Sequence, residues 1–362
     1  MISGSAASGK TTLLHLLDGH QNLVNYHHDK VLKLFSKFFI SSPLYLFKDL
    51  IGDKKSIIIK SRSLKKNVYI NIETLKKRLY EISYGRLESG AFYNESPSHF
   101  SAESFHKSQS HKFVFDFEGF DKNIKNDIFK IKNKTFFFEE IIDIYFSAYF
   151  KNWKNKKKKY YKNIVFKSPN ELRDIESSLA ELKKSKCIYV KRDILGLIKS
   201  RASDLQIRDK KYGKKININH YFKRILFSKY IDNIIKTYAK IDNLKLQFKS
   251  KLYITSLEKI IFETNHEMKK IITFLNLQNK KDYFFPSYNG YRSNKSHIRK
   301  INDDKILISN NLINLYKLRV HGLSYYVNYP SKFSFVNLII YGYIIIKNFI
   351  IHKNVQKNYS EC

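Results

Sequence analysis

Gly4-Ser5-Ala6-Ala7-Ser8-Gly9-Lys10-Thr11-Thr12 decides how the rest of the chain is read. It fits the pattern G-x-x-x-x-G-K-[ST], and Leu13-Leu14-His15-Leu16-Leu17 continues it with the apolar spacing of a helix. Small side chains let successive backbone N–H groups turn toward one anion. The helix N-terminus adds a partial positive charge, and Lys10 adds a full, mobile one. A strand, an anion-cradling loop and a helix in that order predict an α/β fold with a parallel sheet flanked by helices. The motif specifies a phosphate-like anion and leaves open which one.

Only Met1, Ile2 and Ser3 precede the loop, so the first strand is expected to be very short and no signal peptide is read there. Further along, short apolar runs at Phe113–Phe117, Ile164–Phe166, Cys187–Val190 and Leu252–Ile254 read as buried strands. Helical patterns follow at Thr11–Asp18, Glu171–Lys184, Ile194–Ala202 and Leu257–Leu275. Strands separated by helix-length segments imply right-handed crossovers and a parallel sheet. The expected organisation is one α/β domain over residues 1–325, with helical insertions, an insertion at about 30–110 and a helical C-terminal region. A hydrophobic, basic extension over 326–362 completes it. Ser98 to Ser110, rich in Ser and His, reads as a loop. Phe333 to Ile351 is apolar but contains Asn337, Lys347 and Asn348, too broken for a membrane span. It reads as a buried helix or one skimming a membrane surface, so peripheral membrane contact through 333–351 is an expectation for an otherwise cytoplasmic protein.

The composition narrows the function. Among 362 residues, Lys+Arg 67 against Asp+Glu 32 gives a formal charge of +35, yet 56 of the basic residues are Lys and only 11 are Arg. Nucleic-acid binders cluster Arg for bidentate contacts, whereas these lysines are spread along the chain; the densest run, Lys154 to Lys159, is broken only by Asn155. Abundant Lys, Asn, Ile, Phe and Tyr with little Gly or Pro is the bias of a genome poor in G and C. No specific nucleic-acid partner is expected, though a basic surface attracts anionic ligands. With 43% hydrophobic residues, including 28 Phe and 26 Tyr, the chain is expected to build a core rather than remain disordered. Two cysteines, Cys187 and Cys362, argue against a disulfide scaffold or a Cys-based zinc site, and the chain reads as reduced and intracellular.

A kinase or NTPase using this loop also needs Mg²⁺ held by an acid that closes an apolar strand. Asp116, at the end of Phe113-Val114-Phe115, has that position; the favoured reading is a strand-end carboxylate with no catalytic role.

The second informative stretch runs from Lys186-Cys187-Ile188-Tyr189-Val190-Lys191 into Arg192-Asp193, then along a helix to Ser200. Arg192 closes its strand at the carboxyl end, where open α/β sheets place ligands, and a guanidinium holds phosphate through two parallel bonds. Here the sequence resembles the sulfotransferases that use 3′-phosphoadenosine-5′-phosphosulfate (PAPS). In that family a strand ends in Arg-(Asp/Asn)-Pro and a Ser follows eight positions after the Arg; Arg192 and Ser200 keep the spacing, with Ile194 in place of Pro. Three more stretches agree in order. Gly4 to His20 resembles the 5′-phosphosulfate loop, and Phe166-Lys167-Ser168-Pro169 resembles the Lys-(Thr/Ser/Asn)-Pro strand end. Leu252-Tyr253-Ile254-Thr255-Ser256-Leu257, running on to Phe274-Leu275-Asn276-Leu277, resembles the late strand and its helix, without the frequent Tyr-Glu-Asp.

The resemblance implies roles. Ser8, Gly9, Lys10, Thr11 and Thr12 would hold the 5′-phosphosulfate, Arg192 and Ser200 the 3′-phosphate, and a late basic loop with Arg292 and Ser293 would complete that pocket. Lys167 would neutralise the leaving oxygen. Lys10 would supply the charge many relatives carry where this chain has Ala7. His28 is the first choice of general base, Asp29 the second, with His27 beside them; a histidine base suits neutral pH. No metal is expected, because cationic side chains meet the developing charge. The implied activity is sulfuryl transfer from PAPS to a hydroxyl acceptor, on family habit a carbohydrate. The alternatives are an ATP–Mg²⁺-dependent small-molecule kinase and a basic nucleic-acid or membrane-surface binder with a degenerate nucleotide site.

Overall fold

A computed structural model describes residues 1–5, 8–26, 56–62, 65–71, 116–129, 135–154, 162–166, 172–213, 216–278, 287–288, 291–292 and 307–321. In chain order the elements begin with β1 (Ile2–Ser3), α1 (Lys10–Asp18), β2 (Leu23–Tyr26), β3 (Ser56–Ser61), β4 (Lys66–Asn71), α2 (Phe117–Phe129) and β5 (Thr135–Phe137). Next come α3 (Phe138–Asn152), β6 (Asn163–Phe166), α4 (Leu172–Glu181), β7 (Cys187–Lys191), α5 (Ile194–Lys211), α6 (Ile218–Leu226) and α7 (Lys229–Gln247). The remainder are β8 (Leu252–Ser256), α8 (Leu257–Phe262), α9 (Thr264–Phe274), β9 (Ser287–Tyr288), β10 (Tyr291–Arg292) and α10 (Asn310–His321).

The fold is α/β, with parallel strands flanked by helices. β7 is the central strand of three, in the order β1-β7-β8, and all three run parallel. Register pairs Ser3 with Tyr189, Val190 with Thr255 and Lys191 with Ser256. β7 is buried on both faces, which is why it reads as an unbroken apolar run. Its side chains alternate between two cores. Ile188 and Val190 join Ile2, Leu13 and Leu17 of the loop helix and Met268 and Ile271 of α9. Cys187 and Tyr189 turn the other way, onto Ile175 and Leu179 of α4 and Ile241 and Leu244 of α7. Each such side chain contributes about 1.5–3 kcal/mol by leaving water. β2 and β6 pair in parallel, from Leu23↔Asn163 to Tyr26↔Phe166, and Leu23 and Val165 join the core beneath α1.

A mixed sheet of order β4-β3-β5 lies within the insertion expected at about 30–110, and in part beyond it. Its β3–β4 hairpin is anchored by Arg62, whose N–H donates to Glu181 Oε2 at 3.0 Å and whose guanidinium pairs with Glu139 at 3.3 Å.

One expectation over the described residues needs correction. Leu257–Leu275 is two helices, because the chain breaks at Glu263 (φ −119°, ψ 34°) and the Thr264 hydroxyl donates to Ile260 C=O at 2.7 Å and Ile261 C=O at 3.1 Å. Asp116 stands at the start of α2. It caps α2, accepting from Gly119 N–H at 2.8 Å, and Lys154 pairs with it at 2.9 Å; residues 113–115 lie outside the described residues.

The chain divides into two compact units, Met1–Asp193 with Lys236–Ile301, and Ile194–Ile235 with Asn302–Cys362. In the second, α6 buries Tyr221, Phe222, Ile225 and Leu226 and packs on α5. There Arg319 of α10 pairs with Asp232 at 2.8 Å. No helix among the described residues is long and apolar enough to cross a membrane. Residues 326–362, including 333–351, lie outside the described residues, as does most of 30–110.

Candidate anion-binding site

Two glycines shape the loop after β1. Gly4 has φ +149°, and a Cβ there would meet Val190 O at 2.4 Å and Ser8 Oγ at 2.5 Å. The loop therefore leaves β1 pressed against the carboxyl end of β7. Gly9 has φ +90°, and a Cβ there would lie 2.3 Å from Leu257 Cδ1. The first residue of α8 thus closes the other side. Only glycine accepts both the backbone angle and the contact at these positions.

Gly9 is the N-cap of α1 and makes no side-chain cap, and the first turn carries no acid. Leu13 N–H donates to Gly9 C=O at 3.1 Å, so the preceding amides lie at the positive end of the helix. The Ser8 amide is taken by Ser5 C=O at 3.2 Å, which shifts the anion-facing amides toward the first turn of α1. Lys10 curls back over the loop, its Nζ donating to Gly4 C=O at 2.6 Å and Ser5 C=O at 2.7 Å. Its charge rests at the loop's entry.

Around this loop are buried hydroxyls. The oxygens of Ser3, Ser5, Ser8 and Thr255 are buried with no hydrogen-bond partner among the described residues. Such an atom costs about 1–3 kcal/mol. Three belong to the strand and loop, and Thr255 lies opposite Val190, the residue that touches Gly4. A cradle of glycines, helix-terminal amides, an ammonium and unsatisfied hydroxyls fits a phosphate or sulfate ester.

Arg192 is the first residue past the β7–β8 ladder and is 8% exposed. Tyr238, on α7, meets both of its backbone groups: the hydroxyl accepts from Arg192 N–H at 3.0 Å and donates to Arg192 C=O at 2.9 Å. One turn on, Asp242 holds Lys191 Nζ at 2.7 and 2.9 Å, and that ammonium lies 5.4 Å from the Tyr238 ring centre. Tyr189 stands edge-on to the same ring at 6.4 Å. Asp193 N–H donates to Glu258 Oε1 at 3.2 Å, so the first turn of α8 touches both the loop and the Arg-Asp turn.

Of the loop residues, Ser8 and the Lys10 ammonium lie by Gly4, which abuts Val190 near the end of β7, Gly9 abuts Leu257, and Thr11 and Thr12 lie in the first turn of α1. Ser200 is the seventh residue of α5, half-buried, in the second unit. Arg292 lies in β10, whose partner β9 runs alongside α1. Lys167, His27, His28, Asp29 and Ser293 lie outside the described residues. The residues before His27 and Lys167, Tyr26 and Phe166, are register partners. His20 serves structure: buried, its Nδ1 accepts from Asn22 N–H and its Nε2–H donates to Gln278 C=O, both at 3.1 Å. Cys187 is packed in the core, where burial pushes its thiol up to about 12. Sequence reasoning passed over Tyr238, Leu257, Thr255 and Ser3. Thr255 and Leu257 stand within the late-strand motif, whereas nothing in the sequence singles out Tyr238.

The chain matches no protein-family model and no curated protein. Among solved structures it is similar to a sulfotransferase domain from the curacin biosynthetic pathway, with 15% identity over 91% of this chain and 96% of the other and a TM-score of 0.38. It is also similar to a sulfotransferase domain from the olefin synthase of Synechococcus PCC 7002, with 14% identity over 91% and 93% and a TM-score of 0.40.

Proposed function

We propose that the chain is a sulfotransferase that moves a sulfuryl group from PAPS to a hydroxyl, on a carbohydrate acceptor, without a metal. One observation carries the reading. β1 pairs with β7, so the anion loop and Arg192 share the carboxyl edge of one parallel sheet. Two cationic sites on one edge suit a ligand with an anion at each end. The kinase alternative loses its acid among the described residues, since Asp116 caps a helix.

PAPS supplies the sulfuryl group on a phosphate leaving group, together with a 3′-phosphate that ATP lacks. The first-turn amides of α1 and the Lys10 ammonium stabilise charge on the 5′ side, and the hydroxyls of Ser5, Ser8 and Thr255 donate to anionic oxygens. Arg192 answers the 3′-phosphate with a bidentate guanidinium, joined on the resemblance by Ser200, Arg292 and Ser293. Lys167 meets the charge on the leaving oxygen. His28 accepts the proton of the acceptor hydroxyl.

The test is a thermal-shift comparison of 3′,5′-adenosine bisphosphate with ATP–Mg²⁺. Selective stabilisation by the bisphosphate, about 2.7 kcal/mol at a hundred times its Kd, is expected. Equal or greater stabilisation by ATP–Mg²⁺ rejects the reading.

A further inference from the structure

The ladder that satisfies β7 ends at Lys191↔Ser256, so both backbone polar groups of Arg192 need partners from elsewhere. One side chain supplies both. The Tyr238 hydroxyl accepts the Arg192 N–H at 3.0 Å and donates to the Arg192 carbonyl at 2.9 Å. A single oxygen bonded to the N–H and C=O of one residue restricts both dihedrals that set where its side chain leaves the backbone.

The ring delivering that hydroxyl is itself fixed. Tyr189 packs edge-on at 6.4 Å, Lys191 lies over it at 5.4 Å, and Asp242 holds Lys191 from the next turn of the same helix. The Tyr238 ring packs on the core formed by Ile241, Leu244, Cys187 and Tyr189. Packing could be served as well by Phe, so the hydroxyl is the informative atom.

We propose that Tyr238 is a positioning residue for the 3′-phosphate: it holds the backbone of Arg192 so that the guanidinium is preorganised for that group. The inference rests on the sulfotransferase reading. Preorganisation raises affinity by removing an ordering cost at binding, so its loss falls on the phosphate that Arg192 holds and spares the rest of the nucleotide.

The experiment measures binding of 3′,5′-adenosine bisphosphate and of adenosine 5′-phosphate by calorimetry, in the parent chain and in Tyr238→Phe. The expected result is preference for the bisphosphate in the parent, reduced about tenfold in Tyr238→Phe, with binding of the 5′-phosphate unchanged. In an Arg192→Ala background the same change should have no further effect on the preference. Amide exchange at Arg192 in the parent needs no variant: protection beyond the end of the ladder is expected, and exchange at the rate of an open loop overturns the clamp. A parent that prefers the bisphosphate, with Tyr238→Phe keeping the full preference, overturns this inference alone. A parent that shows no preference overturns the sulfotransferase reading, and the inference with it.

Discussion

Leu257 and Gly9 leave no room between them: a Cβ on Gly9 would lie 2.3 Å from Leu257 Cδ1. Leu257 is the first residue of α8, directly after β8, so the late strand of the sheet closes the wall of a loop more than two hundred residues earlier in the chain. The same turn sends Glu258 to Asp193 N–H, beside Arg192. One short helix therefore sets the spacing of both parts of the proposed site.

Gly9→Ala introduces two costs, a strained φ of +90° and the collision with Leu257. Together they should cost about 2–4 kcal/mol. In a Leu257→Ala background the collision with Cδ1 disappears, leaving a tight 3.2 Å contact with the retained Cβ, and the cost should fall to about 1–2 kcal/mol. Urea unfolding of the four proteins measures the difference. An equal cost in both backgrounds would show that the contact does not shape the loop.

Thr255→Val separates ligand binding from folding. The change removes a buried hydroxyl with no partner among the described residues and keeps the shape. Stability should rise by about 1 kcal/mol, because an unsatisfied polar atom is gone, while affinity for 3′,5′-adenosine bisphosphate falls. A drop in stability with unchanged affinity would assign the hydroxyl to the protein interior.

Much of the sheet is legible in the sequence because β7 and β8 are short apolar runs bounded by polar residues, and the loop motif fixes where the sheet presents its ligand edge. The misreadings have local causes. Asp116 reads from the sequence as a strand-end carboxylate; that it also caps α2 depends on the Gly119 N–H, which donates to its Oδ1 at 2.8 Å. The helical period continues through Glu263, so the break depends on a Thr264 hydroxyl that propensity does not reveal. The β3–β4 hairpin falls in a span without a motif, and its anchoring by Arg62 on Glu181, 119 residues away, is tertiary. Tyr238 is an ordinary helix residue until its hydroxyl is seen on Arg192. The loop and the arginine could be read from spacing, and the groups that hold them in place could not.

Lys10→Ala should weaken binding of adenosine 5′-phosphosulfate by about ten- to a hundredfold, the loss of charge-assisted contacts on the 5′ side. It should cost only about 1 kcal/mol of stability, since the bonds to Gly4 and Ser5 carbonyls are made by a partly exposed ammonium. Lys10→Arg keeps the charge and should recover part of the affinity. Calorimetry with matched unfolding curves checks this, and unchanged affinity in Lys10→Ala would remove the residue from the site.

The core on the two faces of the central strands makes stability fall in alkali. Burial pushes the Cys187 thiol up to about 12 from its ordinary 9.0. Burial first, and then the charge of Glu267, which accepts the Tyr253 hydroxyl at 3.0 Å, raise the Tyr253 phenol above its ordinary 10.0. Both groups keep their protons longer folded than unfolded. Above pH 9 the unfolded chain therefore binds fewer protons than the folded one, and unfolding becomes easier as pH rises. The contribution of Cys187 is fully present below pH 9 and is lost toward pH 12 at up to about 1.4 kcal/mol per unit. Tyr253 adds to the loss above pH 10. Urea unfolding at pH 8, 9, 10 and 11 should show the decline, shallower in Cys187→Ala and, above pH 10, in Tyr253→Phe. All other groups are common to parent and variants, so the difference between slopes isolates these two side chains. A Cys187→Ala slope identical to the parent's would mean that the thiol ionises as easily in the folded protein as in water, which a fully buried central strand does not allow.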